Sequence, residues 1–209
     1  MSIADVANAV AALPPGRRLV ALAGPPAAGK STTADELAKA IRSRGRSVAV
    51  IPMDGFHLDN TELDRLGLRA RKGAPETFDV AGLVALAQAV AQGGPRSYPT
   101  FDRSADAVVP DGGQIAATDD IALFEGNYLL LADEPWPALH RLWDMSVALS
   151  VPEAELERRL IARWRRHDPE NAEARCHGND LPNARRVITG SVPADHVLAQ
   201  DEPDWDATN

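Results

Sequence analysis

Residues 24–32 read Gly-Pro-Pro-Ala-Ala-Gly-Lys-Ser-Thr, and no other stretch restricts the fold of this chain as tightly. Gly24, Gly29, Lys30 and Ser31 satisfy the spacing of glycine, four residues, glycine, lysine, then serine or threonine. At this chain's own residue frequencies a chance match is on the order of one in a thousand. An unbroken apolar run over 19–23 precedes the motif and a helical pattern over 31–44 follows it. Strand, loop and helix in that order bring backbone N–H groups and the positive end of a helix onto one anion. Gly24, Pro25, Ala27, Ala28, Gly29, Lys30, Ser31 and Thr32 are therefore the expected lining of a phosphate cradle. Within it Lys30 reaches the β- and γ-phosphates of a nucleotide and Ser31 ligates magnesium.

Further apolar runs lie at 48–51, 121–124, 145–149 and 196–198. Most are unbroken rather than alternating, which is the pattern of strands covered on both faces. Helical patterns at 3–12, 79–92, 136–142, 152–166 and 182–190 separate them. The alternation predicts an α/β three-layer sandwich around a parallel sheet. Between 96 and 116, proline and glycine surround the short runs 98–101 and 107–109, predicting a small inserted β-hairpin over the acceptor. The helix at 152–166 carries acids in its first turn and arginines in its last, with Leu156, Leu160, Ile161 and Trp164 as its expected buried stripe. One domain is expected over 1–209, with a solvated acidic tail from Asp201.

Composition removes several classes. A net charge of −8 leaves no broad basic surface for nucleic acid. The single cysteine, Cys176, allows no internal disulfide and no thiolate cluster. No apolar run reaches the roughly 18 residues of a membrane span and the amino terminus has no basic leader, so a cytoplasmic protein without membrane insertion is expected. The partner is a small-molecule substrate, and a homodimer is left open. Of 22 basic residues only Lys30, Lys39 and Lys72 are lysine. In a chain that otherwise takes arginine, each lysine invites a reason.

The cradle alone does not separate a nucleotide switch from a kinase. No lysine follows asparagine, so the Asn-Lys-x-Asp guanine motif is missing, as is any LSGGQ-type signature. Small-molecule phosphotransfer remains, using ATP and Mg²⁺. In parallel sheets ligands bind beyond the carboxyl ends of the strands. Asp54, after the second apolar run, is the expected base, and Glu125, after the third core run, the expected magnesium-side acid; Ser31, Asp54 and Glu125 form the metal set. His57, Lys72, Tyr98, Asp102, Arg103, Asn127 and Tyr128 fall where an acceptor would lie. Aspartate there favours a neutral polyol such as a sugar. Five arginines between 158 and 166 are followed by an irregular-looking stretch, the pattern of a closing lid over about 163–181. Arg163 and Arg166 are the expected phosphate-stabilising pair.

In order along the chain, the segments GPPAAGKST, MDGFH, RKGAPETFDV, FDRSADAVVPDG and EGNYLL resemble the uridine kinase, phosphoribulokinase and bacterial pantothenate kinase family of P-loop kinases over about residues 20–200. Within that family the chain is most similar to short bacterial proteins described as fructose transport system kinases or nucleoside/nucleotide kinase family proteins. The resemblance implies ATP and magnesium, a five-stranded parallel sheet of nucleoside-kinase type, Asp54 as base, and an arginine-bearing lid. It departs from uridine kinases at Asp54-Gly55-Phe56-His57, where a DSFY-like segment is usual, and it is shorter than the pantothenate kinases. A compact kinase for a polyhydroxylated small molecule is the resulting expectation, with nucleoside or pantothenate acceptors and a transporter-linked nucleotide-binding regulator as alternatives.

Overall fold

The structure is a computed structural model and describes residues 1–200; the expected acidic tail lies outside the described residues. In chain order the strands are β1 (Arg18–Ala23), β2 (Val48–Pro52), β3 (Arg96–Asp102), β4 (Ala107–Ile115), β5 (Ile121–Gly126), β6 (Met145–Ser150) and β7 (His196–Ala199). β2, β5, β1, β6 and β7 line up in that order as one parallel five-stranded sheet. β3 and β4 pair antiparallel as a separate hairpin. The helices are α1 (Ile3–Ala11), α2 (Lys30–Arg42), α3 (Asn60–Leu66), α4 (Val80–Ala91), α5 (Glu153–His167), α6 (Ala172–Arg175) and α7 (Leu181–Gly190).

The apolar run of β1 explains the layering. Side chains alternate across a strand, so Leu19, Ala21 and Ala23 enter one core with Val80, Leu83, Ala87 and Val90 of α4. Val20 and Leu22 enter the opposite core with α1, α2 and Leu156 of α5. Both faces being covered, neither can be polar, and the strand reads as continuous hydrophobe. The parallel five-stranded sheet agrees with the sequence expectation.

Three local expectations are corrected. Residues Trp136–Leu142 form a 3-10 helix rather than an α-helix. The stretch after α5 is not irregular: a 3-10 turn over Pro169–Asn171, α6, and a π-helical turn over Cys176–Asp180 lead into α7. In α5, Leu156 and Leu160 are buried, but Ile161 and Trp164 only partly, and Arg159 is buried in their place at 1% exposure. The sequence reading also passed over α3, although Asp59 caps its start by accepting from the Glu62 N–H at 2.8 Å and Gly67 ends it at φ +68°.

Candidate active site

The glycine-rich loop joins β1 to α2. Gly29, the residue before α2, has φ +83°, a left-handed conformation that a Cβ would strain. Ala27 is also left-handed at φ +63°, a strained position for a residue with a side chain. The buried Arg159 supports it from outside: its Nε donates to Glu155 at 2.6 Å and its Nη1 lies 3.4 Å from the Ala27 carbonyl oxygen. Pro25 contributes its carbonyl rather than an amide, accepting from Lys30 Nζ at 3.0 Å. Ser31 and Thr32 are exposed on the first turn of α2.

Register brings the acids to the same end of the sheet. Glu125 on β5 lies opposite Leu22, the next-to-last residue of β1, and Pro52, the last of β2. Ser31 Oγ donates to Glu125 Oε1 at 3.2 Å. Burial pushes the Glu125 carboxyl above its usual range, with Lys30 opposing the rise. Burial pulls the Lys30 ammonium down to about 8, against the pull of Glu125 and Asp54. A buried carboxylate and a hydroxyl supply hard oxygen donors at the mouth of the loop, a set that suits magnesium.

Asp54 sits in a 3-10 turn, Met53–Phe56, directly after β2. The hairpin crosses that turn so closely that a Cβ on Gly55 would run into the Pro99 carbonyl, which is why glycine follows the acid. Arg103, between β3 and β4 and 72% exposed, reaches back to Asp54 Oδ2 at 3.1 Å. From α5, Arg163 contributes to the field that lowers the Lys30 pKa and pairs with Asp180 at 2.8 Å.

The comparisons place the chain as a whole among known kinases. The chain is 37% identical over 196 residues to "Putative uridine kinase C227.14" of Schizosaccharomyces pombe, covering 88% of this chain and 83% of that one. This chain belongs to the uridine kinase, phosphoribulokinase and bacterial pantothenate kinase family of P-loop kinases. The crystal structure of a "putative fructose transport system kinase" from Silicibacter sp. TM1040 superposes on this kinase with a TM-score of 0.91 at 43% identity, covering 95% of this chain and 99% of that one. A pantothenate kinase of Sinorhizobium fredii is 32% identical over 88% of this kinase, which spans 65% of that protein's length. A family profile described as chromatin associated protein KTI12 matches residues 18–66, the stretch from β1 to α3.

Around the acceptor side the kinase departs from the sequence reading. Tyr98 is buried and its hydroxyl donates to the Val50 carbonyl at 2.9 Å, so it packs the hairpin onto β2. Tyr128 is buried too, and its hydroxyl donates to the Gly73 carbonyl at 2.6 Å. One oxygen of Asp102 is engaged in the hairpin turn: Oδ1 accepts from the Ser104 N–H and hydroxyl and the Ala105 N–H at 2.6–3.1 Å. Arg103 pairs with Asp54 rather than with Asp102. Lys72 pairs with Asp106 at 2.6 Å. His57 stays close to Asp54, with Nδ1 2.8 Å from the Asp54 carbonyl, its ring between Phe78 and Phe101, and burial lowering its pKa. Asn127 directly follows β5 and is half-buried.

The arginine-bearing segment divides in two. Arg163 is half-buried and paired with Asp180, whereas Arg166, three residues on, is exposed in the last turn of α5. The sequence reading missed Arg159 as the support of the loop, although the i, i+4 spacing from Glu155 was visible. It also missed Asp180, which accepts from both Arg163 and the Trp164 indole N–H at 2.7–2.8 Å. Gln200 was not seen either; its Nε2 donates to the buried Thr33 of α2 at 2.9 Å. No local pattern marks Asp180 or Gln200.

Proposed function

We propose that this kinase transfers the γ-phosphoryl group of ATP to a hydroxyl of a small polar metabolite, with a sugar such as fructose as the favoured acceptor. The observation that carries the reading is the convergence of Lys30, the Ser31–Glu125 pair and Asp54 at one end of the sheet. Lys30 and the loop amides hold the β- and γ-phosphates, and Arg163 adds positive charge near the negative oxygens of the transferring group. Ser31 and Glu125, with Asp54 facing them, would hold magnesium, which neutralises phosphate charge when bound. Asp54 orients the acceptor O–H and takes its proton as the oxygen bonds to the γ-phosphorus and the bond to ADP breaks.

The choice of fructose leans on the description of the Silicibacter relative as a fructose transport system kinase. Uridine-like and pantothenate-like acceptors form the second reading, favoured by the names of the other two relatives. ADP release measured against fructose, uridine, pantothenate and related compounds tests both. Asp54→Asn should lower the acceptor-dependent rate by about 10²–10⁴-fold with ATP affinity, carried mainly by Lys30 and the loop, nearly intact. If ATP affinity falls in parallel with rate, Asp54 is not a base. If ATP binds but no acceptor raises the rate, a nucleotide-binding regulator replaces the kinase reading.

A further inference from the structure

Lys72 is among the most fully engaged side chains near the cleft, and no step of the proposed transfer uses it. Its Nζ donates to Asn60 Oδ1 at 2.8 Å, to Asp106 Oδ1 at 2.6 Å and to the Asp106 carbonyl at 3.2 Å. It also sits 4.9 Å from the centre of the Phe101 ring. An ammonium has three protons arranged to meet three converging acceptors, and all three are taken. A planar guanidinium cannot converge on one point in this way, which explains a lysine in a chain that otherwise prefers arginine. Asp106 lies in the turn between β3 and β4 at φ +50°, three residues after Arg103. Lys72 thereby fixes the tip of the hairpin that carries Arg103 onto Asp54.

The main chain of the same residue points the other way. The Lys72 carbonyl accepts from Asn179 Nδ2 at 3.0 Å, and Asn179 Oδ1 accepts from Asn183 at 3.2 Å. Asn179 belongs to the π-helical turn whose next residue, Asp180, holds Arg163. The Gly73 carbonyl is pinned from below by Tyr128. One residue thus joins the acceptor-side hairpin, through its side chain, to the segment that holds the inward arginine, through its backbone.

We infer that Lys72 is a positioning residue that couples the hairpin over residues 96–115 to the arginine-holding segment around 172–181, so that nucleotide bound on one side orders the other. The inference rests on ATP occupying the glycine-rich loop. Coupling of this kind requires that a ligand at one site change the free energy of an arrangement at the other, which hydrogen exchange reads directly.

The probe is magnesium with the non-hydrolysable analogue AMP-PNP, added to the full chain. In the unsubstituted protein it should slow amide exchange by about fivefold or more both at 172–181 and at 96–115. Lys72→Met cuts the hairpin link together with the bond to Asn60, and Asn179→Ala cuts the link to the π-helical turn together with the bond to Asn183. In each variant the slowing at 172–181 should persist while that at 96–115 is lost, a pattern that a merely stabilising role would not produce. Should Lys72→Met fail to fold by circular dichroism, Asn179→Ala carries the comparison alone. Hairpin slowing that survives in Asn179→Ala, or that is absent from the unsubstituted protein although calorimetry shows the analogue bound, overturns the coupling. If calorimetry shows no binding, the kinase reading falls first and the coupling with it.

Discussion

On the phosphate side of the cleft, Lys30, Ser31 and Glu125 are held by the loop backbone and by adjacent strands of the central sheet. On the acceptor side, Asp54 with Arg103 and Lys72 with Asp106 are held by side-chain ion pairs between loops and the hairpin turn. The first arrangement needs only a short stretch of chain and one neighbouring strand. The second needs the hairpin, the turn after β2 and the segment around Lys72 to meet. A site of the first kind resists change in its surroundings, because its geometry is set by backbone. A site of the second kind is sensitive to any contact that places its parts.

Substitutions on the two sides sharpen that contrast. The largest effect belongs to the loop: Lys30→Met should reduce ADP-forming turnover by about 10²–10³-fold or more, the scale of removing one preorganised charge donor from a transition state. A loss of under about tenfold in a steady-state assay would deny Lys30 that role.

Next comes a pH dependence peculiar to the phosphate side. The Lys30 ammonium titrates near 8 in the folded protein, below the usual 10.5. ATP affinity should therefore hold up to about pH 8 and then fall by up to about tenfold per pH unit, as the free protein loses the charge that binding requires. The sign reverses for stability. Between 8 and 10.5 the unfolded chain binds the proton and the folded protein does not, so stability without nucleotide should rise across that window. Denaturant titrations of the parent and of Lys30→Met, which should lack the rise, check this.

The smallest effect falls on the acceptor side and separates packing from recognition there. Tyr98→Phe removes the hydrogen bond to Val50, so it should cost about 1 kcal/mol of stability and leave the KM for the acceptor unchanged. A raised KM at unchanged stability would return Tyr98 to the binding site.

Much of the phosphate side was legible in the sequence because its signals are local. A glycine tolerates the left-handed turn at position 29, a lysine follows it, and a helix begins at once. Asp54 and Glu125 could be placed because each lies within three residues of the end of an apolar run whose strand lies in the sheet. The acceptor side was misread at Tyr98, Tyr128 and Asp102 because a polar group's partner decides its role, and those partners are Val50, Gly73 and Ser104. Only the last of these is near in sequence, and there a turn-closing aspartate could have been recognised.

The sequence by itself determined the alternation of strand and helix, the loop between β1 and α2, and the acids that follow β2 and within β5. These depend on hydrophobic period and on backbone conformations that few residues permit. The tertiary structure alone decided that Arg159 is buried under the loop, that Asp180 holds Arg163, and that Lys72 pairs with Asp106 in the hairpin turn. The reason is that a charged side chain carries no mark of its partner until folding has removed water from one side of it and brought an opposite charge to the other.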